Sequence, residues 1–266
     1  MYIDINDPNP TMRKTFQAYG LKLIHEEATT ALFKKIVKPG DVVLDLGANI
    51  GYFTLLAANL VGDRGRVYAF EPEPTNYHYL RRNIEINDYR NVFAYQKGVS
   101  NISGKTKLFI CPYDSGHHTI NKPSGIKKYR PDYDGEIKEI EIDVVSTDDF
   151  LKDKVEKVNI IKVDIEGAEV IAFHGMRNIL KANQNVKIFL EFFPLLIQEM
   201  GNSPEEFIRQ LQEDYKFTIL AIARDYSINS VGEDYIRVQN YQQLAGLLKG
   251  ETDHTNLYLT RELTIS

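Results

Sequence analysis

Apolar positions in this chain fall into short runs that alternate with longer stretches of helical spacing, the pattern of a largely parallel sheet covered by helices on both faces. Val42 to Leu46, broken only by Asp45, predicts a central strand over 42–46. Ile50 to Val61 predicts the helix after it, closed by Gly62-Asp63-Arg64-Gly65. A second strand is expected over 66–71, then a helix from about Glu73 to Asn87 in which Tyr77, Leu80 and Ile84 share a face, then a third strand near 91–97. Asn83 and Asn87 on that helix read as a solvated face and a helix end. Later strands are expected over 158–164, 186–192, near 217–223 and near 256–260, with helices at about 168–181 and 240–249. Ser203-Pro204-Glu205-Glu206 marks one more helix start, with a capping serine, proline at the first position and acids in the first turn. Ahead of the first strand, about 24–37 predicts a helix with Leu32, Phe33, Ile36 and Val37 on one side, ended by Pro39-Gly40.

The alternation breaks once. Residues 105–111 and 136–145 have the period of half-buried strands, and the polar, aromatic segment 113–134 lies between them, which predicts an inserted β-hairpin with a long tip. The expected fold is α/β, a Rossmann-like seven-stranded, mostly parallel sheet carrying that hairpin. At 266 residues one domain suffices: 1–40 is an arm and a helix packing on the domain, and 41–266 is the domain itself, with the insertion at about 101–145.

Chemistry should gather where the parallel strands end. The first strand runs into Asp45-Leu46-Gly47-Ala48-Asn49-Ile50-Gly51, and the second ends in Phe70-Glu71-Pro72. Glycines permit unusual φ/ψ and a close approach of ligand to backbone, and an acid at the tip of the second strand can accept hydrogen bonds from both hydroxyls of a ribose. The spacing is not that of a dinucleotide site, because the middle glycine of G-x-G-x-x-G is missing. Asp45, two residues before Gly47, would repel a pyrophosphate but attract an ammonium group, directly or through water. S-adenosylmethionine carries such an ammonium together with ribose and adenine, and has no phosphate. The other strand ends are Lys97-Gly98-Val99-Ser100, Asp164-Ile165-Glu166-Gly167 and Glu191-Phe192-Phe193-Pro194. Any one of these acids could be a mere helix cap; five strand ends meeting on one edge favour a site.

At this point the chain resembles the class I S-adenosylmethionine-dependent methyltransferases, and within them the FkbM-like family. The resemblance is carried by Gly47-Ala48-Asn49-Ile50-Gly51-Tyr52-Phe53-Thr54, by Val145-Ser146-Thr147-Asp148-Asp149-Phe150-Leu151, by Ile161-Lys162-Val163-Asp164-Ile165-Glu166-Gly167-Ala168-Glu169 and by Leu190-Glu191. It spans about 26–195. The segment 113–134 and the chain after about 200 match no pattern of the family, and these regions should shape the substrate pocket. The resemblance implies a sheet whose last strand is antiparallel and an O-methyltransferase acting on a hydroxyl of a sugar, polyketide or other small molecule. It further implies that Asp45, Gly47, Ala48, Asn49 and Gly51 surround the methionine arm, that Glu71 with Pro72 holds the ribose, that Val99 and Ser100 border the adenine and that Asp164 lies near the methionine amino group.

An alcohol is a poor nucleophile until its proton is removed, so a general base is expected among Asp164, Glu166 and Glu191. His117 and His118, at the tip of the insertion, are candidates for contact with the acceptor, against the plainer reading of exposed loop histidines. Together with the three acids they could also hold Mg²⁺, Mn²⁺ or Zn²⁺, although no spacing fixes a divalent metal and metal-free catalysis is the default. The run Lys122, Lys127, Lys128, Tyr129, Arg130, Tyr133 could grip an acidic group, but Asp132, Asp134 and Glu136 dilute it. Its tyrosines could equally pack on the domain or on a second subunit, which leaves a homodimer open. A net charge of -5 argues against a broad grip on nucleic acid. The lone Cys111 excludes an internal disulfide framework and a cysteine-rich zinc site. The polar N-terminus shows no secretory signal, no apolar run approaches the roughly 18 residues of a membrane span, and a cytoplasmic location is expected. Alternatives are an RNA or protein N-methyltransferase and an inactive cofactor-binding scaffold.

Overall fold

Short β-branched runs between amphipathic helices give the architecture. In a computed structural model the described residues are 24–111, 115–121, 136–223, 225–226, 234–248, 250 and 252–262. The basic and aromatic run of the insertion lies outside them, apart from Glu136 at its end. In chain order, α1 (Glu27–Ile36) precedes β1 (Val42–Leu46), α2 (Tyr52–Val61), β2 (Arg66–Phe70), α3 (Pro74–Ile86) and β3 (Val92–Tyr95). Then come β4 (Gly98–Ser100), β5 (Gly104–Phe109), β6 (Glu139–Ser146) and α4 (Thr147–Leu151). The second half holds β7 (Ile160–Val163), α5 (Glu169–Gly175), α6 (Arg177–Ala182), β8 (Lys187–Phe192), α7 (Pro194–Glu199) and α8 (Pro204–Glu213). It closes with β9 (Thr218–Ile222), β10 (Tyr235–Val238), α9 (Tyr241–Leu247) and β11 (Thr255–Thr260).

The main sheet has the order β10-β9-β11-β8-β7-β1-β2-β3. Strands β3, β2, β1, β7 and β8 pair in parallel, while β11 runs antiparallel between β8 and β9. The seven expected strands are all present, and β10 adds an antiparallel eighth at the edge beside β9. Both faces are covered. On one, Leu32, Phe33 and Ile36 of α1 join Phe53, Phe189 and Tyr258; the Phe33 ring lies 5.3 Å from Phe53 and 5.1 Å from Phe189. On the other, Leu44, Leu46, Ile161 and Val163 pack against Phe173, Leu180 and Phe207.

The expected hairpin is the antiparallel pair β5–β6, and it belongs to a separate sheet of order β4-β6-β5. There the structure departs from the expected third strand over 91–97. The chain leaves β3 at Tyr95, turns, and begins β4 at Gly98, parallel to β6. A side chain at Gly98 would crowd Val144 and Ile142, at 3.1 and 3.3 Å, so glycine lets the two strands close. The helix expected over 168–181 is two helices, α5 and α6, broken at Met176. Gly175 sits so near β4 that a Cβ there would fall 2.0 Å from the Ser100 carbonyl oxygen. Asp148 supplies the cap of α6, accepting from the Asn178 and Ile179 amides at 2.8 and 2.9 Å. Ser203 caps α8 as expected. Among the described residues no helix is long and apolar enough to cross a membrane.

Candidate functional site

The carboxyl ends of β1, β2, β7 and β8 open into one cavity of about 490 Å³. On the β1 side the chain turns with Gly47 at φ 87° and Asn49 at φ 49°. A Cβ on Gly47 would lie 1.7 Å from the Asp164 carbonyl oxygen, so glycine is required where β1 and β7 come together. Five successive amides of this turn bond within the protein: Gly47 and Ala48 donate to the Phe70 carbonyl at 3.0 and 2.9 Å, Asn49 to Glu71 Oε2 at 2.8 Å, Ile50 to Asn49 Oδ1 at 2.7 Å and Gly51 to the Ala48 carbonyl at 2.9 Å. A dinucleotide turn keeps such amides for a pyrophosphate; this turn directs them inward and presents carboxylates.

Those carboxylates are Asp45 and Glu71. Asp45 is buried; burial raises its pKa to about 6, against the hydrogen bond from Thr54 Oγ1 at 2.5 Å and the charge of Lys162. Glu71 is buried too, and burial lifts its pKa to about 8, opposed by the Glu73 and Asn49 amides, one on each oxygen. A carboxylate oxygen that accepts one amide has capacity for a second donor, which leaves Glu71 able to take a diol. Ala48, Asn49, Pro72 and Val99 also line the cavity. Two expected residues stand back from it. Gly51 begins α2 at φ 100°, where a Cβ would meet Leu80 Cδ1 at 2.8 Å, so its glycine serves helix packing. Ser100 turns its hydroxyl to Asn101 and packs its backbone on Gly175.

At the far ends of β7 and β8, Asp164, Glu166 and Glu191 bring carboxylate oxygens within 4.8 Å of one another, a spacing open to a divalent ion. They have an internal cation as well. The fully buried Lys162 places Nζ 2.9 Å from Asp164 Oδ2 and 5.1 Å from the centroid of the Phe53 ring. Burial opposes its charge, but Asp164, Glu26 and Glu191 together hold its pKa up. For Asp164 the balance runs the other way. Burial would raise its pKa, yet Lys162 and a hydrogen bond from Glu191 lower it, so the group is ionised at neutral pH. Glu191, buried beside Asp164 and Glu166, is pushed well above the ordinary carboxylate range and carries the proton of the pair. Glu166 is buried in a left-handed backbone conformation, φ 53°. The last acid of the run, Glu169, points under the turn and accepts from the Gly167 amide at 3.1 Å, a clamp on the backbone rather than part of the cavity wall.

The insertion folds over this opening. The Ser115 carbonyl accepts from Asn76 at 2.8 Å and from Asn49 at 3.4 Å, and Thr119 Oγ1 donates to the Glu166 carbonyl at 3.0 Å. His117 and His118 line the cavity as a result, with His118 Nδ1 accepting from the Cys111 amide at 3.0 Å. Asn83 corrects the expectation of a solvated face. It is fully buried and donates to the Ile50 carbonyl at 2.8 Å, tying α3 to the glycine turn, while Asn87 does end the helix.

One wall of the cavity has no counterpart among the residues that the sequence singles out. His25, Glu26, Tyr226 and His254 line it from segments far apart in the chain. Glu26 (φ 43°) receives hydrogen bonds from Asn256 Nδ2 at 2.7 Å and Tyr226 Oη at 3.2 Å, and His25 Nε2 lies 3.3 Å away. Burial works against charge on His25, but Glu26 and Asp164 outweigh it and raise its pKa. Asp225 caps α1 from across the molecule, accepting from the Ala28 and Thr29 amides at 2.6 and 2.7 Å. The one signal that points to buried partners is Lys162: a lysine between isoleucine and valine in a buried strand needs a counter-charge.

Comparison with known proteins bears on the family and the fold. A fungal protein of Beauveria bassiana named Methyltransferase 1 is 30% identical over 144 residues, 50% of this chain and 57% of that one. The hexuronic acid methyltransferase AglP of Haloferax volcanii is 26% identical over 159 residues, 59% of each chain. The chain thus spans less than two thirds of the length of either relative. A protein of Clostridium thermocellum described as a candidate rRNA methylase has the same fold, with a TM-score of 0.50 at 10% identity, over 90% of this chain and 96% of that one. The sequence model of the methyltransferase FkbM domain matches residues 45–219, well over half of the chain. The chain belongs to the FkbM family of class I S-adenosylmethionine-dependent methyltransferases.

Proposed function

We propose that this chain transfers a methyl group from S-adenosylmethionine to a hydroxyl of a small molecule, a saccharide foremost. The observation that carries the reading is the β1 turn, whose amides are engaged inside the protein while Asp45 and Glu71 face the cavity. That donor set fits a ligand with an ammonium and a diol and no phosphate. Asp45 and Asp164 would take the ammonium, Glu71 the two ribose hydroxyls, and Val99 with Ile165 and Ala168 an apolar ring. The Haloferax relative is named for a hexuronic acid, which supports a saccharide acceptor without fixing the charge of the sugar this chain takes.

S-adenosylmethionine supplies an electrophilic methyl group on a sulfonium. An acceptor oxygen held about 3 Å from that carbon, in line with the breaking bond, gains much of the rate from positioning alone. As the oxygen–carbon bond forms, the carbon–sulfur pair returns to sulfur and the hydroxyl proton must leave. Asp164, kept ionised by Lys162, receives it; Glu191, already protonated, orients Asp164 through their hydrogen bond. Glu166 orients the hydroxyl from the adjoining turn. His117 and His118 close the acceptor side of the cavity, so water is kept from the sulfonium.

Calorimetric titration of the chain with S-adenosylmethionine, S-adenosylhomocysteine and, separately, NAD tests the reading. Micromolar binding of the first two with none of NAD is expected. Absence of S-adenosylmethionine binding by folded protein overturns it.

A further inference from the structure

We propose that His25, Glu26, Tyr226 and His254 form the acceptor-binding wall of the cavity, and that this wall selects hydroxylated rings free of negative charge, excluding uronates and phosphorylated sugars. The inference rests on the methyltransferase reading and extends it to the acceptor.

All four residues lie outside the family match over 45–219: His25 and Glu26 just before α1, Tyr226 after β9 and His254 before β11. The part of the cavity that belongs to the match holds the glycine turn and the acids of β1, β2, β7 and β8. Residues beyond the match close the opposite side. That side is held together by contacts among its own side chains. Tyr226 Oη bridges Glu26 Oε1 at 3.2 Å and Glu191 Oε1 at 3.4 Å, and the Tyr226 ring lies 4.1 Å from the His254 ring, which stacks on Phe193 at 4.8 Å. Glu26 keeps its place through Asn256 and an αL backbone, a conformation that non-glycine residues hold only when the surroundings enforce it.

The chemistry of the wall then decides the charge it accepts. Carboxylates accept hydrogen bonds from hydroxyls, and aromatic faces receive the C–H face of a ring. An entering carboxylate or phosphate meets the opposite situation. Lys162 already faces Asp164 at 2.9 Å, and His25 already faces Glu26 at 3.3 Å. Lys97, on the other rim, faces Asp143 at 3.3 Å. Burial and the nearby His117 keep His254 toward its neutral form. Among the described residues of the wall, an anion would therefore lie beside Glu26, Asp164 and Glu166 with each lysine and His25 already opposite an acid, and the burial of Glu26, Asp164 and Glu166 on the cavity side strengthens the repulsion.

The test uses saturation-transfer NMR on the chain loaded with S-adenosylhomocysteine, with a methyl glucoside, a methyl glucosaminide and a methyl glucuronide as probes. The neutral and amine-bearing glycosides should bind, and the glucuronide should bind at least about tenfold more weakly. Glu26→Gln should shrink that discrimination to less than about threefold while leaving S-adenosylhomocysteine affinity within about twofold, a change in selectivity that a merely structural role would not produce. The comparison of probes on the unaltered chain stands even if the variant fails to fold. Glucuronide binding equal to that of the glucoside overturns the proposal, as does failure of all three probes while S-adenosylhomocysteine binds. Failure of S-adenosylhomocysteine itself to bind overturns the methyltransferase reading, and this proposal with it.

Discussion

The two halves of the cavity are made differently. The half proposed for the cofactor comes from one contiguous turn, residues 45–51, and the strand beside it, and its groups are set by backbone geometry: positive φ at Gly47 and Asn49, and amides that fasten Glu71 in place. The half proposed for the acceptor comes from Glu26, Lys162, Glu191, Tyr226 and Asn256, side chains separated by as many as 230 positions and held by one another. The first kind of site takes most of its geometry from residues adjacent in the chain. The second is a network of buried charge, in which removal of one member leaves the others uncompensated.

That contrast can be broken most forcefully at Lys162. Lys162→Met keeps the volume but strips the buried acids of their cation, and should lower stability by about 3–5 kcal/mol, read by denaturant unfolding. A loss below about 1 kcal/mol would mean that the acids neutralise themselves without it. Next in size is the chemical step. Asp164→Asn should cut methyl transfer by about 10²–10⁴-fold, the range for losing a general base, with Glu166→Ala also slowing turnover while leaving S-adenosylhomocysteine affinity largely intact. In the cofactor half the effect should fall on binding instead. Glu71→Ala should weaken S-adenosylhomocysteine by about 10–100-fold, the worth of two buried hydrogen bonds to the ribose. Equal losses of binding at Glu71 and Glu166 would erase the division between the halves.

The smallest expected effect concerns pH. Asp45 has a pKa of about 6 in the folded chain, above its ordinary 3.8, and the cofactor's ammonium favours the ionised form. The part of binding that depends on Asp45 should therefore be near full strength at pH 7 and fall as pH drops through 6, by about tenfold at pH 5, with Asp45 releasing a proton on binding. Asp45→Asn should weaken binding and flatten this profile between pH 5 and 7. A profile unchanged by the substitution would place the titrating group elsewhere.

Much of the site is legible in the order of residues alone. Asp45, Glu71, Asp164, Glu166 and Glu191 all reach the cavity as the strand-end rule requires, and so do His117 and His118 at the tip of the insertion. Where expectation and structure part, the causes are physical. Asn83 reads as solvated because an isolated asparagine on a helix carries no mark of the carbonyl it will meet, here that of Ile50. A single third strand over 91–97 is expected because Val92 to Val99 is apolar enough for one, and only the fit of Gly98 against Val144 divides the stretch between two sheets. Strand β10 and helix α7 leave no trace in the hydrophobic pattern; four and six residues are too few to display a period.

What the sequence determined by itself is the alternation of strand and helix, the glycine turn and the row of acids at the strand ends, because hydrophobic period and glycine geometry act over a few residues. What only the tertiary structure decided is which of those acids are charged and what faces them. The proton held by Glu191 beside an ionised Asp164, the cation of Lys162 and the wall of Glu26 and Tyr226 all depend on distances between segments that the sequence keeps far apart, and a buried charge takes its state from its neighbours in space.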